Sequence, residues 1–482
     1  MRLIRYAWAV RYLGPRRAAQ NLLHRLRRPF GRPRKYETGL GGRLAPQGRA
    51  RVPFLSHNAG THLAGGRFSA LNRTLELGDP LAWEPDAPVL WLFNLHYFAY
   101  LTEQEPERSK ALVLDWIARY PRRRGRAGWM PYPLSLRLRN WAKLALAAEE
   151  WPAPERESLL ASIEAQARCL ADGVEYHLGG NHLLENALTL RFLGACFRSP
   201  AATQWARLGD QILLREMDEQ FLPDGGHFER SPMYHALLVH GLLDLVNILP
   251  EGDGLLGLLR ERLPSLLGFL EAMRHPDGGP ALFNDSARDI APEPAPLLAY
   301  AERLGLRLPA PQPSTFPETG YYVFRRGGDA LVVDAGPIGP DYVPAHAHGD
   351  LFSFELSLDG RRVVVDGGTS SYEPGPERDW VRSTAAHNTV EVGGQDQCEF
   401  FDAFRVGRRA RPHQIRGRVD PDGLHVSGWH DGYRRLPGRP VHAREIRFLP
   451  EGVLLVWDEV RPAGGQGNGG MGRRGHHERS LR

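Results

Sequence analysis

Residues 309–319 read PAPQPSTFPET, and the four prolines in this run suit neither a helix interior nor a central strand, because proline lacks the N–H that both hydrogen-bond ladders use. The hydrophobic period differs on its two sides. Upstream, from about Ala111 to Leu306, apolar residues recur at helical spacing in the blocks Leu134–Trp151, Glu157–Leu170, His182–Phe197, Gln204–Phe221, Met233–Leu249 and Leu255–Met273. Turn sequences such as Asp172-Gly173, Gly179-Gly180, Pro223-Asp224-Gly225-Gly226 and Pro276-Asp277-Gly278-Gly279 separate these blocks. Helices of about 15 residues joined by short Gly-rich loops suit an (α/α) toroid of helix pairs, a pattern that other all-α arrangements share.

Downstream the texture changes to short alternating or β-branched runs: Tyr321–Arg325, Ala330–Asp334, Phe352–Leu358, Arg361–Asp366, Thr389–Val392, Leu424–Gly428, Glu445–Leu449 and Val453–Trp457. Leu358-Asp359-Gly360-Arg361 signals a tight hairpin, since Asp-Gly tolerates the positive φ angles of a type I′ turn. The predicted architecture is therefore multidomain α+β. A basic arm (1–60) precedes an (α/α) toroid (61–316), an antiparallel, β-sandwich-like domain follows (317–460), and 461–482 form a tail. That tail contains GGQGNGGMGRRGHHERSLR, which offers no apolar face to bury and reads as disordered or aberrant. Without further strands after Val460, the Val453–Trp457 strand should sit at or near a sheet edge.

The formal charge of +5 conceals an asymmetry. Met1–Arg51 holds thirteen Arg, one Lys and a single acid, a net +13, so the other 431 residues sum to −8. The basic character belongs to the arm, which argues against nucleic-acid binding by the folded body and leaves a solvated extension, an anionic membrane or an acidic glycan as the arm's environment. Three scattered cysteines, Cys169, Cys196 and Cys398, imply neither a disulfide framework nor a thiolate metal site. No stretch approaches the roughly 18 apolar residues of a membrane span. The opening MRLIRYAWAVRYLGPRR, interrupted by Arg5 and Arg11 and lacking a small-residue cleavage site, is a poor signal peptide, which leaves both cytoplasmic and periplasmic locations open.

Three constellations carry chemistry. Gly179-Gly180-Asn181-His182-Leu183-Leu184-Glu185-Asn186 opens a helix with Asn181 as the expected N-cap and with His182 and Glu185 on one face. Pro223 to His235, PDGGHFERSPMYH, brings acid, base and phenol to one loop end. The strongest combines Pro344-Ala345-His346-Ala347-His348-Gly349-Asp350, Val365-Asp366-Gly367-Gly368 and Ala386-His387-Asn388-Thr389. There His348, Asp366 and His387 supply N and O donors that suit Zn²⁺ with an open position.

Taken together, GGNHLLENALTL, HFERSPMYHALL, HAHGDLFSFEL, VVVDGGTSSY and RSTAAHNTV, in this order between about Trp91 and Glu459, resemble the heparinase II/III-like polysaccharide lyases. The resemblance implies a toroid and a β-domain facing each other across a substrate cleft. It implies that Asn181 and His182 engage a uronate carboxylate, that Tyr234 is the general acid/base and His346 its partner, and that His348, Asp366 and His387 hold a structural zinc. His387 belongs to the active site in some family members, which leaves two roles for it.

The implied reaction is β-elimination on an acidic polysaccharide. Loss of the C5 proton of a uronate builds charge on the carboxylate, so donors such as Asn181, His182 or Arg must offset that charge. A base must reach C5 and an acid must protonate the departing O4, and a phenol serves in either role if neighbours tune it. Glu185 is positioned to orient His182. Arg137 and Arg382 are candidates to fork onto further sugar acids. Two other readings compete. A glycoside hydrolase needs two flanking carboxylates, with Glu185, Asp224, Glu229 and Asp285 as candidates. A catalytically silent glycan-binding or exopolysaccharide-assembly protein needs none of the chemistry.

Overall fold

The computed structural model describes residues 4–14, 19, 22, 44–120, 126–147, 151–308, 310 and 314–462. Most of the basic arm and all of the tail beyond Pro462 lie outside the described residues, and with them the expectation of a disordered tail.

The upstream half is helical: α1 (Val89–Tyr97), α2 (Pro106–Arg119), α3 (Pro131–Leu146), α4 (Ala153–Asp172), α5 (Gly180–Cys196), α6 (Pro200–Gln220), α7 (Pro232–Ile248), α8 (Gly254–Ala272) and α9 (Pro294–Arg303). All six periodic blocks are present, displaced by a few residues at their ends. Prolines open α2, α3, α6, α7 and α9, where the missing N–H costs nothing. Ser199 and Ser231 cap α6 and α7 by accepting from the backbone N–H of Ala202 and Tyr234. Helix α5 is buried nearly all round and packs on α3, α6 and α7, so its first turn is held rigidly where the site will lie.

Strands also occur in this half, contrary to the expected all-helical region. β1 (His62–Ala64), β2 (Arg67–Ala70) and β3 (Arg73–Glu76) form a small antiparallel sheet. Its tight turns use positive φ at Gly65-Gly66 and Leu71-Asn72, and the strands are too short for their alternation to register as a period.

The downstream half contains two larger antiparallel sheets and a short two-stranded ribbon, Phe400–Phe401 with Arg405–Val406. β4 (Ser314–Phe316), β5 (Tyr321–Arg326), β6 (Asp329–Asp334), β7 (Phe354–Leu358) and β8 (Arg361–Val364) run in sequence order in one. β9 (Pro412–Asp420), β10 (Gly423–His430), β11 (Pro440–Phe448) and β12 (Leu454–Pro462) form the other. Phe324, Leu331, Val333 and Leu356 of the first pack against Val426, Ile446 and Phe448 of the second. Gly417 leaves room for the Tyr322 ring, which a Cβ at 417 would meet at 1.9 Å. The Asp-Gly hairpin is present, with φ of 49° at Asp359 and 81° at Gly360.

Two details differ from expectation. Thr389–Val392 is not a strand: the Asn388 side chain donates to the carbonyls of Phe354 and Val365, and Thr389 Oγ1 to that of Leu351, so side chains fix this segment in place of a ladder. β9 carries no clean alternation in its sequence and was not expected. Among the described residues β12 pairs only with β11, so the Val453–Trp457 run does lie at a sheet edge.

Candidate active site

The loop between α8 and α9 crosses to the β-domain and ties the halves together. Asn284 accepts at Oδ1 from the His348 N–H (3.0 Å), and its own N–H donates to Asp350 (3.0 Å). Asp285 donates its N–H to the His346 carbonyl (3.1 Å), and Ser286 receives the Thr369 N–H (2.9 Å). Ser231 Oγ, the cap of α7, donates to the Asp285 carbonyl at 2.8 Å.

At the centre lies the Asp285 carboxylate, fully buried. It accepts from His346 Nδ1 (2.8 Å), from His348 Nε2 (2.8 Å) and from both terminal nitrogens of Arg378, with Nη2 at 2.8 Å. Burial opposes its ionisation, yet Arg378 and the two histidines hold it well below the usual carboxylate range. With Nδ1–H directed at Asp285, His346 Nε2 accepts from Asn181 Nδ2 at 3.2 Å and lies 3.6 Å from Glu229 Oε2.

Asn181 does not cap α5. Gly179 occupies that position, and Gly180, with φ of 54°, starts the helix where a Cβ would meet Glu229 Oε1 at 2.3 Å. Asn181 thereby turns inward, donating its N–H (2.9 Å) and Nδ2 (3.0 Å) to Glu229. Tyr234, at the start of α7, packs on His346 with ring centroids 4.0 Å apart and the rings tilted by 33°, and its hydroxyl donates to that of Tyr372 at 3.2 Å. Burial, then the neighbouring Tyr372 and Asp285, push the Tyr234 phenol well above its ordinary value, so it is protonated at neutral pH. His182 stacks against Tyr132 (4.4 Å) and its Nδ1 bonds Glu175 at 3.2 Å. Burial lowers its pKa, but the charge and hydrogen bond of Glu175, with Glu229 and Glu185 beyond, prevail and raise it.

The structure thus gathers Asn181, His182, Tyr234 and His346, and corrects three neighbours. Glu185 does not orient His182: it is buried against Arg139 at 2.6 Å, and Glu175 takes the expected role. Arg137 does not face sugar. It is fully buried, donating to Gln166 Oε1 (2.8 Å), the His96 carbonyl (3.1 Å) and the Gly128 carbonyl (2.7 Å), with its guanidinium 4.3 Å from the Trp116 ring. Arg382 is likewise buried, donating to the carbonyls of Ala347 and Asp402, each at 3.1 Å. The four carboxylates named for a hydrolase are each engaged: Glu229, Asp285 and Glu185 as described, and Asp224 by Thr319 N (2.7 Å) and Oγ1 (2.6 Å).

Of the metal candidates, His387 Nδ1 lies 2.8 Å from Asp366 Oδ2, and the rings of His348 and His387 are 5.2 Å apart. His348 Nδ1, His387 Nε2 and Asp350 Oδ1 are buried without a partner. Among the described residues no group of three or more His, Cys, Asp or Glu side chains forms a ready metal cage.

A helical region facing an antiparallel β-domain, with His, Tyr and Asn converging at the joint, defines a class that the comparisons identify. Residues 94–286 match the heparinase II/III N-terminus and residues 308–468 the heparinase II/III-like C-terminal domain. The chain belongs to the heparinase II/III-like family. It is 30% identical over 316 residues to a heparin-sulfate lyase of Bacteroides stercoris, covering 59% of this chain and 44% of that protein. A heparin-sulfate lyase of Pedobacter heparinus is 27% identical over 326 residues, 61% of this chain and 45% of that one. The chain therefore spans less than half the length of either lyase. FtsZ-localized protein C of Caulobacter vibrioides is 26% identical over 391 residues, 76% of this chain and 63% of its own. In fold, the crystal structure of heparinase III superposes with a TM-score of 0.62 at 20% identity over 80% of this chain and 66% of that one.

The buried pair yields a prediction. Arg378→Met leaves the Asp285 carboxylate uncompensated and should lower unfolding free energy by about 3–5 kcal/mol. Adding Asp285→Asn should recover part of that loss. Denaturant melts of the single and double variants measure the coupling, and strict additivity would show that the pair is not the joint described here.

Proposed function

We propose that this chain is a polysaccharide lyase that cleaves a uronate-containing polymer by β-elimination. The observation that supports this reading is the packing of Tyr234 on His346, ring centroids 4.0 Å apart, which sets His346 Nε2 beside a protonated phenol. The lyase names of the Bacteroides and Pedobacter relatives support it. In this mechanism a protonated His182 offsets the uronate carboxylate, which acidifies C5. His346 Nε2 takes the C5 proton, the C4–O4 bond breaks, and Tyr234 Oη protonates the departing O4. The products are an unsaturated uronate and a new sugar hydroxyl.

A structural zinc held by His348, Asp366 and His387 is part of the proposal. His348 Nδ1, His387 Nε2 and Asp350 Oδ1, each buried without a partner, support this reading, although Asp366 is engaged by His387 and the Gly368 N–H. The metal would hold the two histidine loops together and take no part in proton transfer. Metal analysis of purified protein should find about one zinc per chain and none in His348→Ala; a metal-free native protein would remove the zinc from the reading.

A second reading has one observation in its favour: the Caulobacter relative covers more of this chain than either lyase, and its name speaks of localisation and not cleavage. A glycan-binding or assembly protein would bind uronate polymer without cutting it.

Digestion of a panel of heparan, heparin, alginate and bacterial uronate polymers, followed by ultraviolet absorbance, separates the two. The lyase reading expects unsaturated product from one or more of them and a fall in kcat of about 10²–10⁴-fold in Tyr234→Phe. Binding without absorbance would favour the silent reading.

The raised pKa of His182 adds a pH dependence. The charged ring is present below that value and is lost as pH rises through it, so KM should climb on the alkaline side. In His182→Gln that limb should vanish. An alkaline rise in KM that persists in the variant assigns it to another group.

A further inference from the structure

Residues 4–14 form a helix that lies against the β-domain by one face. Tyr6 Oη donates to Asp402 Oδ2 (3.1 Å), and its ring meets Phe401 edge-on at 5.0 Å. Arg5 Nη1 donates to the Phe400 carbonyl (3.1 Å), and the Arg409 guanidinium sits 4.2 Å from the Tyr12 ring. The helix is therefore fixed to the domain through its tyrosines.

Its other face is different. Ile4, Ala7 and Val10, three residues apart along the helix, are exposed, Ile4 by 55% and Val10 by 61%. Arg11 flanks this stripe, its guanidinium 5.3 Å from the Trp8 ring. In sequence the stripe lies within the stretch Met1–Arg51 that carries a net +13, whereas the rest of the chain carries −8.

We infer that this helix is a docking face for an anionic membrane surface. A short apolar stripe is too small to bind a bilayer by burial alone, and basic charge alone binds any polyanion; together they are the two-part signal of an interfacial helix. The positive charge of this stretch complements an anionic headgroup layer. An acidic polysaccharide fits less well, because it has charge but no hydrocarbon to cover Ile4 and Val10. Docking here would also bring the cleft near the membrane: the 400–406 segment under the helix carries Phe404, whose ring stacks on Tyr372 at 6.1 Å. The inference is independent of whether the site cleaves.

The test is co-sedimentation of the full chain with vesicles. Binding is expected to vesicles of equal parts phosphatidylcholine and phosphatidylglycerol, and not to phosphatidylcholine alone. The double variant Ile4→Glu, Val10→Glu should lose on the order of tenfold in partitioning, while its thermal melt and its retention on a soluble uronate polymer stay unchanged. The milder Val10→Ser, read in the same assay, should show an intermediate loss and serves if the double variant does not fold. Failure to sediment with the mixed vesicles overturns the inference. So does a double variant that sediments as the parent does, since that would make the arm a general polyanion binder.

Discussion

One buried carboxylate lies at the centre of the joint that holds this molecule's two halves in register. Asp285 is removed from water, where an unpaired charge is prohibitive, and it remains charged because Arg378 and two histidines surround it. Every one of those partners comes from the β-domain, whereas Asp285 itself hangs from the helical half. The same residue's carbonyl receives the hydroxyl of Ser231, which caps the helix bearing Tyr234. The distance between phenol and imidazole is thus set by one loop and not by two independent domains. His346 is held in one tautomer by the same bond that closes the joint.

The cleft divides its tasks between the halves. The first turn of α5 supplies Asn181 and His182 from a helix packed on nearly all sides, which restrains their backbone. The β-domain supplies His346 and Tyr372 from irregular segments, held by contacts such as the Asp285 bond to His346 and the Phe404 ring on Tyr372. A group on a loop becomes as well placed as one on a helix when its ring is packed on one side and bonded on the other, as His346 is between Tyr234 and Asp285.

The helices and most strands were legible because their signal is local: six periodic blocks, an Asp-Gly turn and a proline-rich boundary each depend on near neighbours. Asn181, His182, Tyr234 and His346 were legible only as members of ordered motifs. The errors share a cause. Arg137 sits in a helix as any surface arginine would, and the carbonyls and the Trp116 indole that bury it come from other segments of the chain. Glu185 has the right spacing from His182, but spacing along a helix does not reveal that Arg139 reaches it first. Asp285 was visible as an acid, yet its partners lie 61, 63 and 93 residues away, so its role was not. Glu175, Tyr372 and Arg378 carried no local mark; of these only Tyr372 lies inside a motif that resembled the family.

The joint also bears on how such a molecule evolves. Asp285 and Arg378 are kept by folding as well as by any chemistry, so a lineage that stops cutting polymers still has to retain both. The Tyr234 hydroxyl, whose one bond is to another hydroxyl, has no such second tenure. Among descendants of this architecture, the ion pair therefore records shared ancestry, and the phenol is the position at which retirement from catalysis would first be written.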